Sequence, residues 1–329
     1  MFEQPFHVSA GRKFSASEKT DAEELVKEWH QHGQEKIEGE REKTAEELLF
    51  IERFNGYLRE LYLSLGMKQG TSIDATQIHI LPSDAYQKIR GQSAVDSCSA
   101  YGSKENVVMM RDTDDKEAMF YNMAHESIHA VSFHSFRAET KPQQPKVYRM
   151  AGYSFRNPKT RDMYFRGFNE ALTERTAREI LREHSEDMRA TFNIPMTYEE
   201  AITGNQSRYS DYLQVLDELA THIADNSQET PGAVFARFQK GMFTGNMMAL
   251  RDVERTLGKG SLRLLANMPD GFMARWSELR PKLLEFITTK DFNVRTQLQS
   301  ELADLLPVSE RELYDRRLSV GFADDTENE

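Results

Sequence analysis

The chain has 329 residues and a formal net charge of -11, with 39% hydrophobic and 29% charged residues. That acidic balance opposes binding to nucleic acid, which needs a basic surface to neutralise phosphate. No apolar run approaches the ~18–20 residues that a membrane span requires. The N-terminal segment lacks the apolar stretch of a secretory signal, and a lone cysteine, Cys98, excludes an internal disulfide. The expectation is a globular cytoplasmic protein with neither a nucleic-acid nor a membrane partner. Composition leaves the oligomeric state open.

Residues 1–44 are polar and charge-rich, and read as a flexible or helical segment, with 18–42 a solvated helix. From Thr44 onward Leu48, Ile51, Phe54, Leu58, Leu61 and Leu65 recur at three- and four-residue spacing, which predicts an amphipathic helix stopped by Gly66. Residues 76–81, ending at Pro82, and 106–110, starting as early as Ser99, predict two strands. Asp114 with Glu117 gives capping-box spacing and opens a helix predicted over 114–136. Residues 147–156 and 162–166 read as the arms of a hairpin about Asn157-Pro158-Lys159-Thr160. A helix follows over 168–184. Beyond Tyr209 the pattern is helical, over 211–224, 232–241, 246–257 and 279–290. Ser309 and Glu312 cap a last short helix before an acidic tail. The predicted class is α+β: a small mixed or antiparallel sheet packed on the helix 114–136, with a mainly helical C-terminal half.

That helix carries His125-Glu126-Ser127-Ile128-His129. Residues four apart on a helix lie one turn above each other, about 6 Å between their Cβ atoms. Two imidazoles so spaced can offer nitrogens to one ion at about 2.0–2.1 Å. Glu126, beside the first ligand, is suited to accept a proton from a water at the metal. A peptide bond resists hydrolysis, and such a site supplies both the polarised carbonyl and the nucleophile that cleavage needs. A catalytic zinc takes three protein ligands. His134 does not qualify as the third, because the pattern HExxHxxGxxH needs Gly and His where the chain has Ser132 and Ser135. It reads as an ordinary polar residue at the helix end.

Downstream lies Phe168-Asn169-Glu170-Ala171-Leu172-Thr173-Glu174. With this segment the chain resembles the gluzincin metallopeptidases, the thermolysin-like clan, in which HExxH is joined by a glutamate from a later helix bearing NExxx[DE]. The likeness spans residues 76–180. The stretch from His129 to Glu170 is longer than in thermolysin, and neither thermolysin's calcium sites nor the aminopeptidase GxMEN motif has a match. The likeness is therefore to compact, undecorated gluzincins.

The resemblance implies a zincin-like fold and one Zn2+ per chain, held by His125, His129 and Glu170, with Glu126 as general base. It makes Glu174 the hydrogen-bond partner of His125, fixing its tautomer; Glu170 and Glu174 share a helix face, as this requires. It implies hydrolysis of a peptide or protein substrate lying as an extended strand along the sheet edge of residues 99–110, beside Ala100, Tyr101 and Gly102. A donor for the developing oxyanion is implied after the third ligand, where Tyr209 is favoured over Tyr212; Tyr164, ahead of Glu170, is the other candidate. Cys98 reads as inert rather than as a thiolate capping the zinc. On this basis residues 45–306 form the catalytic domain with a helical C-terminal subdomain, and 307–329 a short helix and acidic tail. Residues 1–44 are an inhibitory propeptide, a recognition arm or plain disorder. The alternative function is a catalytically weak, peptidase-like zinc-binding scaffold acting in protein interaction; an intact Glu126 speaks against it.

Overall fold

The computed structural model of the chain describes residues 6–10, 16–91, 97–139, 146–156, 163–194, 210–268 and 276–305. The fold is α+β and mostly helical. Strand β1 (Phe6–Ala10) and helix α1 (Ala16–Gly33) precede α2 (Ala45–Ser64). There follow β2 (Ile78–Leu81), α3 (Ser83–Arg90), β3 (Ser99–Gly102), β4 (Val107–Arg111) and α4 (Lys116–Val131). Four short strands come next: β5 (His134–Glu139), β6 (Lys146–Ala151), β7 (Ser154–Arg156) and β8 (Met163–Tyr164). The remainder is helical: α5 (Arg166–Glu183), α6 (Ser185–Phe192), α7 (Ser210–Ser227), α8 (Pro231–Thr244), α9 (Arg251–Leu257), α10 (Ser261–Ala266), α11 (Trp276–Thr288) and α12 (Phe292–Leu305).

The strands make two mixed sheets, one in the order β1-β5-β6-β7-β8 and one in the order β2-β4-β3. In the smaller sheet β2 runs parallel to β4 and β3 antiparallel to it, so β3 is an edge. The sequence assigned the whole of 99–110 to that edge; β4 is instead the central strand, and only Ser99–Gly102 lies outside it. Helix α4 packs on β3 and β4 and against α5, and α5 also packs against α7 and α8. The hairpin expected between 147 and 166 is split in two. A tight turn at Gly152 and Tyr153 joins β6 to β7, and β7 then pairs with β8 through Phe155 and Tyr164. Its Asn157–Thr160 turn lies outside the described residues, as do the cap at Ser309 and the acidic tail.

Four local departures from the sequence reading are seen. Helix α2 begins where expected, with a reciprocal box in which Thr44 Oγ1 accepts from the Glu47 N–H and the Glu47 carboxylate accepts from the Thr44 N–H. Its buried stripe, however, is Phe50, Ile51, Phe54, Tyr57, Leu58 and Tyr62, while Leu48 is 45% exposed. Helix α4 is capped by Asp115, whose carboxylate accepts from Ala118 N, and not by Asp114. It stops at Val131 rather than near 136, because the alternation of His134 and Phe136 serves a strand that β1 and β6 flank. The N-terminal segment, read as solvated, supplies β1 to the larger sheet and buries Ala22, Val26 and His30 of α1. The ring of His30 sits 5.7 Å from that of Phe136.

The core behind α4 is aromatic. Phe120 of α4 stacks on Phe50 of α2 at 4.5 Å, and Phe192 of α6 meets both edge-on. Phe120→Ala should cost about 3–5 kcal/mol, since Phe120 is only 2% exposed; denaturant unfolding measures it, and a loss below about 1 kcal/mol would mean that the cluster does not hold α4. Among the described residues no helix is long and apolar enough to cross a membrane.

Candidate metal centre

Helix α4 is buried on every side from Met123 to Val131, which is how a helix behaves when sheet, helix and core surround it. Its polar residues there, His125, Glu126, Ser127 and His129, therefore need partners inside the protein. His125 and His129 project toward α5, and Glu170 of α5 meets them. The carboxylate Oε2 of Glu170 lies 3.4 Å from His125 Nε2 and 3.2 Å from His129 Nε2. All three donor atoms fall within 4.8 Å of one another. Ligand atoms around a tetrahedral ion bound at about 2.0–2.1 Å stand about 3.3–3.4 Å apart, so the donor set fits a metal ion in chemistry and in size. Glu170 keeps 21% of its side chain exposed while the histidines are nearly closed off at 5% and 7%. The site opens on the Glu170 side.

The free ring nitrogens are also held. His125 Nδ1 lies 2.9 Å from Glu174 Oε2; a carboxylate only accepts, so Nδ1 carries a hydrogen, which leaves Nε2 as the nitrogen that would take a metal. Glu174 is fully buried, and Tyr121 Oη and Arg178 Nε (2.7 Å) both donate to its other oxygen. Burial would raise the Glu174 carboxyl, but the hydrogen bond and charge of His125, with Arg178 and Tyr121, bring it below the usual range. His129 Nδ1 is 3.4 Å from Thr173 Oγ1, one turn from Glu170 on the same helix. Asn169, the first residue of the downstream motif, accepts from Tyr153 N–H at 2.9 Å and so ties the β6–β7 turn to α5. Gly152 in that turn has φ +56 and leaves no room for a Cβ, which would stand 2.3 Å from Asn169 Oδ1.

The electrostatics favour positive charge between the three donors. Burial would lower the His125 imidazole, but hydrogen bonds to Glu170 and Glu174 and the charges of Glu126 and Glu174 raise it to about 10. Burial would raise the Glu170 carboxyl, yet the charge of His129 and the hydrogen bonds from both histidines hold it well below the carboxylate range. Arg178 already balances Glu174, so of the two glutamates on α5 it is Glu170 whose charge is left to meet a cation. Glu174→Gln should weaken metal binding by about 10–100-fold, read from competition with a chelator; unchanged affinity would mean that Glu174 supports the helix pair and not the ligand.

Glu126 points elsewhere, toward the small sheet. Ser99 Oγ of β3 donates to Glu126 Oε1 at 2.8 Å. Tyr101 of β3 stacks parallel to the His129 ring at 5.7 Å, donates to Asn106 Oδ1 and meets His134 Nε2 at 2.8 Å. His134 is not at the helix end but opens β5. Burial lowers its pKa to about 4, which keeps it neutral, and Nε2 donates to the His129 carbonyl at 3.2 Å. Ala100 is buried beside these groups, with Gly102 half-buried at the end of the strand. Of the oxyanion candidates, Tyr209 lies outside the described residues, and Tyr164 and Tyr212 sit in the hydrophobic core, 5% and 2% exposed. Cys98 receives a hydrogen bond from Arg111. Sequence reasoning missed Ser99, Tyr121, Thr173 and Arg178; of these, Thr173 and Arg178 were in reach, since they stand three and eight residues after Glu170 on one helix face. No known protein family, curated protein or solved structure matches the chain.

Proposed function

We propose that the protein is a zinc-dependent peptidase of the gluzincin type. The observation that carries this reading is the convergence of His125 Nε2, His129 Nε2 and Glu170 Oε2 beside a glutamate, Glu126, that is not one of the three donors. When bound, the ion supplies Lewis-acid polarisation of a carbonyl and makes a neighbouring water acidic near neutral pH. The residues of the chain do the rest. Glu126 Oε1 is held by Ser99, which leaves Oε2 to take the proton of the attacking water and to return it to the leaving amine. Glu174 and Thr173 keep both imidazoles turned with Nε2 toward Glu170. The outer edge of β3 has backbone groups to pair with an extended peptide, next to Ala100, Tyr101 and Gly102. An edge strand ahead of the HExxH helix, with the third donor on the next long helix, is also the order of a zincin-like fold. A cytoplasmic setting belongs to this reading, since Cys98 has no other cysteine to pair with.

Purified protein should carry about one zinc per chain and cleave an unstructured protein. A strong chelator should stop cleavage and added Zn2+ should restore it. Protein free of zinc and unable to bind it would sink the reading, whereas zinc-loaded protein that cleaves nothing would leave a binding scaffold.

A further inference from the structure

The chemistry above leaves a partly buried cation of the larger sheet unused. Arg149 stands in β6 opposite Phe136 of β5. Its guanidinium is half-buried and has no hydrogen-bond or ion-pair partner among the described residues. Five fixed N–H donors withdrawn from water without an acceptor are unfavourable. Burial pulls the group below the usual arginine range, although Tyr101 and Glu105 pull it upward. Glu105 does not neutralise it, being paired with Lys104 at 3.4 Å.

The position points to the metal centre. Opposed residues of an antiparallel pair share a face, as do residues two apart in a strand. Arg149 therefore lies on the face of Phe136 and His134, and His134 touches Tyr101, whose ring lies over His129. The same face brings a second cation. Pairing of Met150 with Phe155 and of Ala151 with Ser154, continued by one residue, sets the exposed Arg156 across from Arg149. On a chain of net charge -11, such a pair is a local reversal of sign next to the edge strand.

We propose that Arg149, with Arg156 beside it, is a subsite for a carboxylate of the peptide substrate. The proposal rests on the peptidase reading and adds its substrate class. A guanidinium takes a carboxylate through two parallel N–H···O bonds. The carboxylate is either an Asp or Glu side chain or the free C-terminus of the peptide, and the two share this chemistry.

The test uses zinc-loaded full-length protein and one peptide sequence in three forms: neutral with an amidated end, with a single Glu moved along it, and with a free C-terminus at varied distance from the cut. The wild type should prefer carboxylate-bearing forms in kcat/KM by about tenfold to a hundredfold, through KM. In Arg149→Gln the ratio of carboxylate to neutral peptide should fall to about one, and Arg149→Lys should keep part of it. Arg156→Gln, at an exposed position, should lower the same ratio, with Tm measured alongside. A preference that tracks the Glu identifies a side chain; one that tracks the free end identifies the terminus. The same peptides are also titrated by fluorescence anisotropy on zinc-loaded Glu126→Gln protein, with and without Arg149→Gln. Cleavage with no carboxylate preference, or a preference that survives Arg149→Gln, overturns the subsite and leaves the peptidase reading standing. Arg149-dependent binding of carboxylate peptides without any cleavage by the wild type does the reverse.

Discussion

Glu126→Gln should leave a protein that folds, holds its metal and cleaves almost nothing. The substitution keeps the shape of the side chain and an oxygen that still accepts from Ser99 Oγ, so β3 and α4 stay joined as they are at 2.8 Å. What it removes is the group that takes a proton. Loss of a positioned general base costs about 10²–10⁴-fold, and because the base acts only in the transition state, kcat and kcat/KM should fall together. Metal content by elemental analysis and the rate on an unstructured protein, measured on one preparation, check both halves. Equal cleavage by mutant and wild type would remove Glu126 from the mechanism.

Glu170→Ala should abolish stoichiometric metal binding. Two imidazoles alone make a poor cage, and Glu170 is also the acidic donor that meets both of them, at 3.4 and 3.2 Å. Metal that binds only the folded state stabilises it by about 4 kcal/mol at 1,000 times its Kd. Wild type should therefore gain several degrees in Tm on adding Zn2+ to the apoprotein, and Glu170→Ala should gain none. The contrast with Glu174→Gln matters, because that variant should still respond at higher metal concentration. A mutant with the wild-type thermal response would make Glu170 a mere neighbour of the histidines.

The donors were legible because helical spacing is local. His125 and His129, and Glu170 and Glu174, are each one turn apart, and the residue types announce their chemistry. The groups that orient them were harder to read. Ser99 reaches Glu126 from a strand 27 residues earlier, and Tyr101 reaches His134 across 33; neither spacing leaves a mark in the sequence. The α+β class and most helices followed from periodicity. The end of α4 did not, since Val131, Phe133 and Phe136 extend a plausible apolar pattern and only pairing with β1 and β6 makes 134–139 a strand. Leu48 was misread for a related reason. Its helix turns Phe50 inward to meet Phe120, and the stripe rotates to follow that stack.

The parallel pairing of β1 with β5, Phe6 beside His134 through Ala10 beside Ala138, joins the segment ahead of α1 to the strand that follows α4. During synthesis β1 emerges long before its partner and waits for it. If β1 is trimmed or blocked, β5 becomes a bare edge with a row of unpaired N–H and C=O groups, the template on which chains stack edge to edge. With β1 in place the edge of the sheet is β1 itself, so the pairing covers the backbone of β5 and moves the exposed row one strand outward, away from α4.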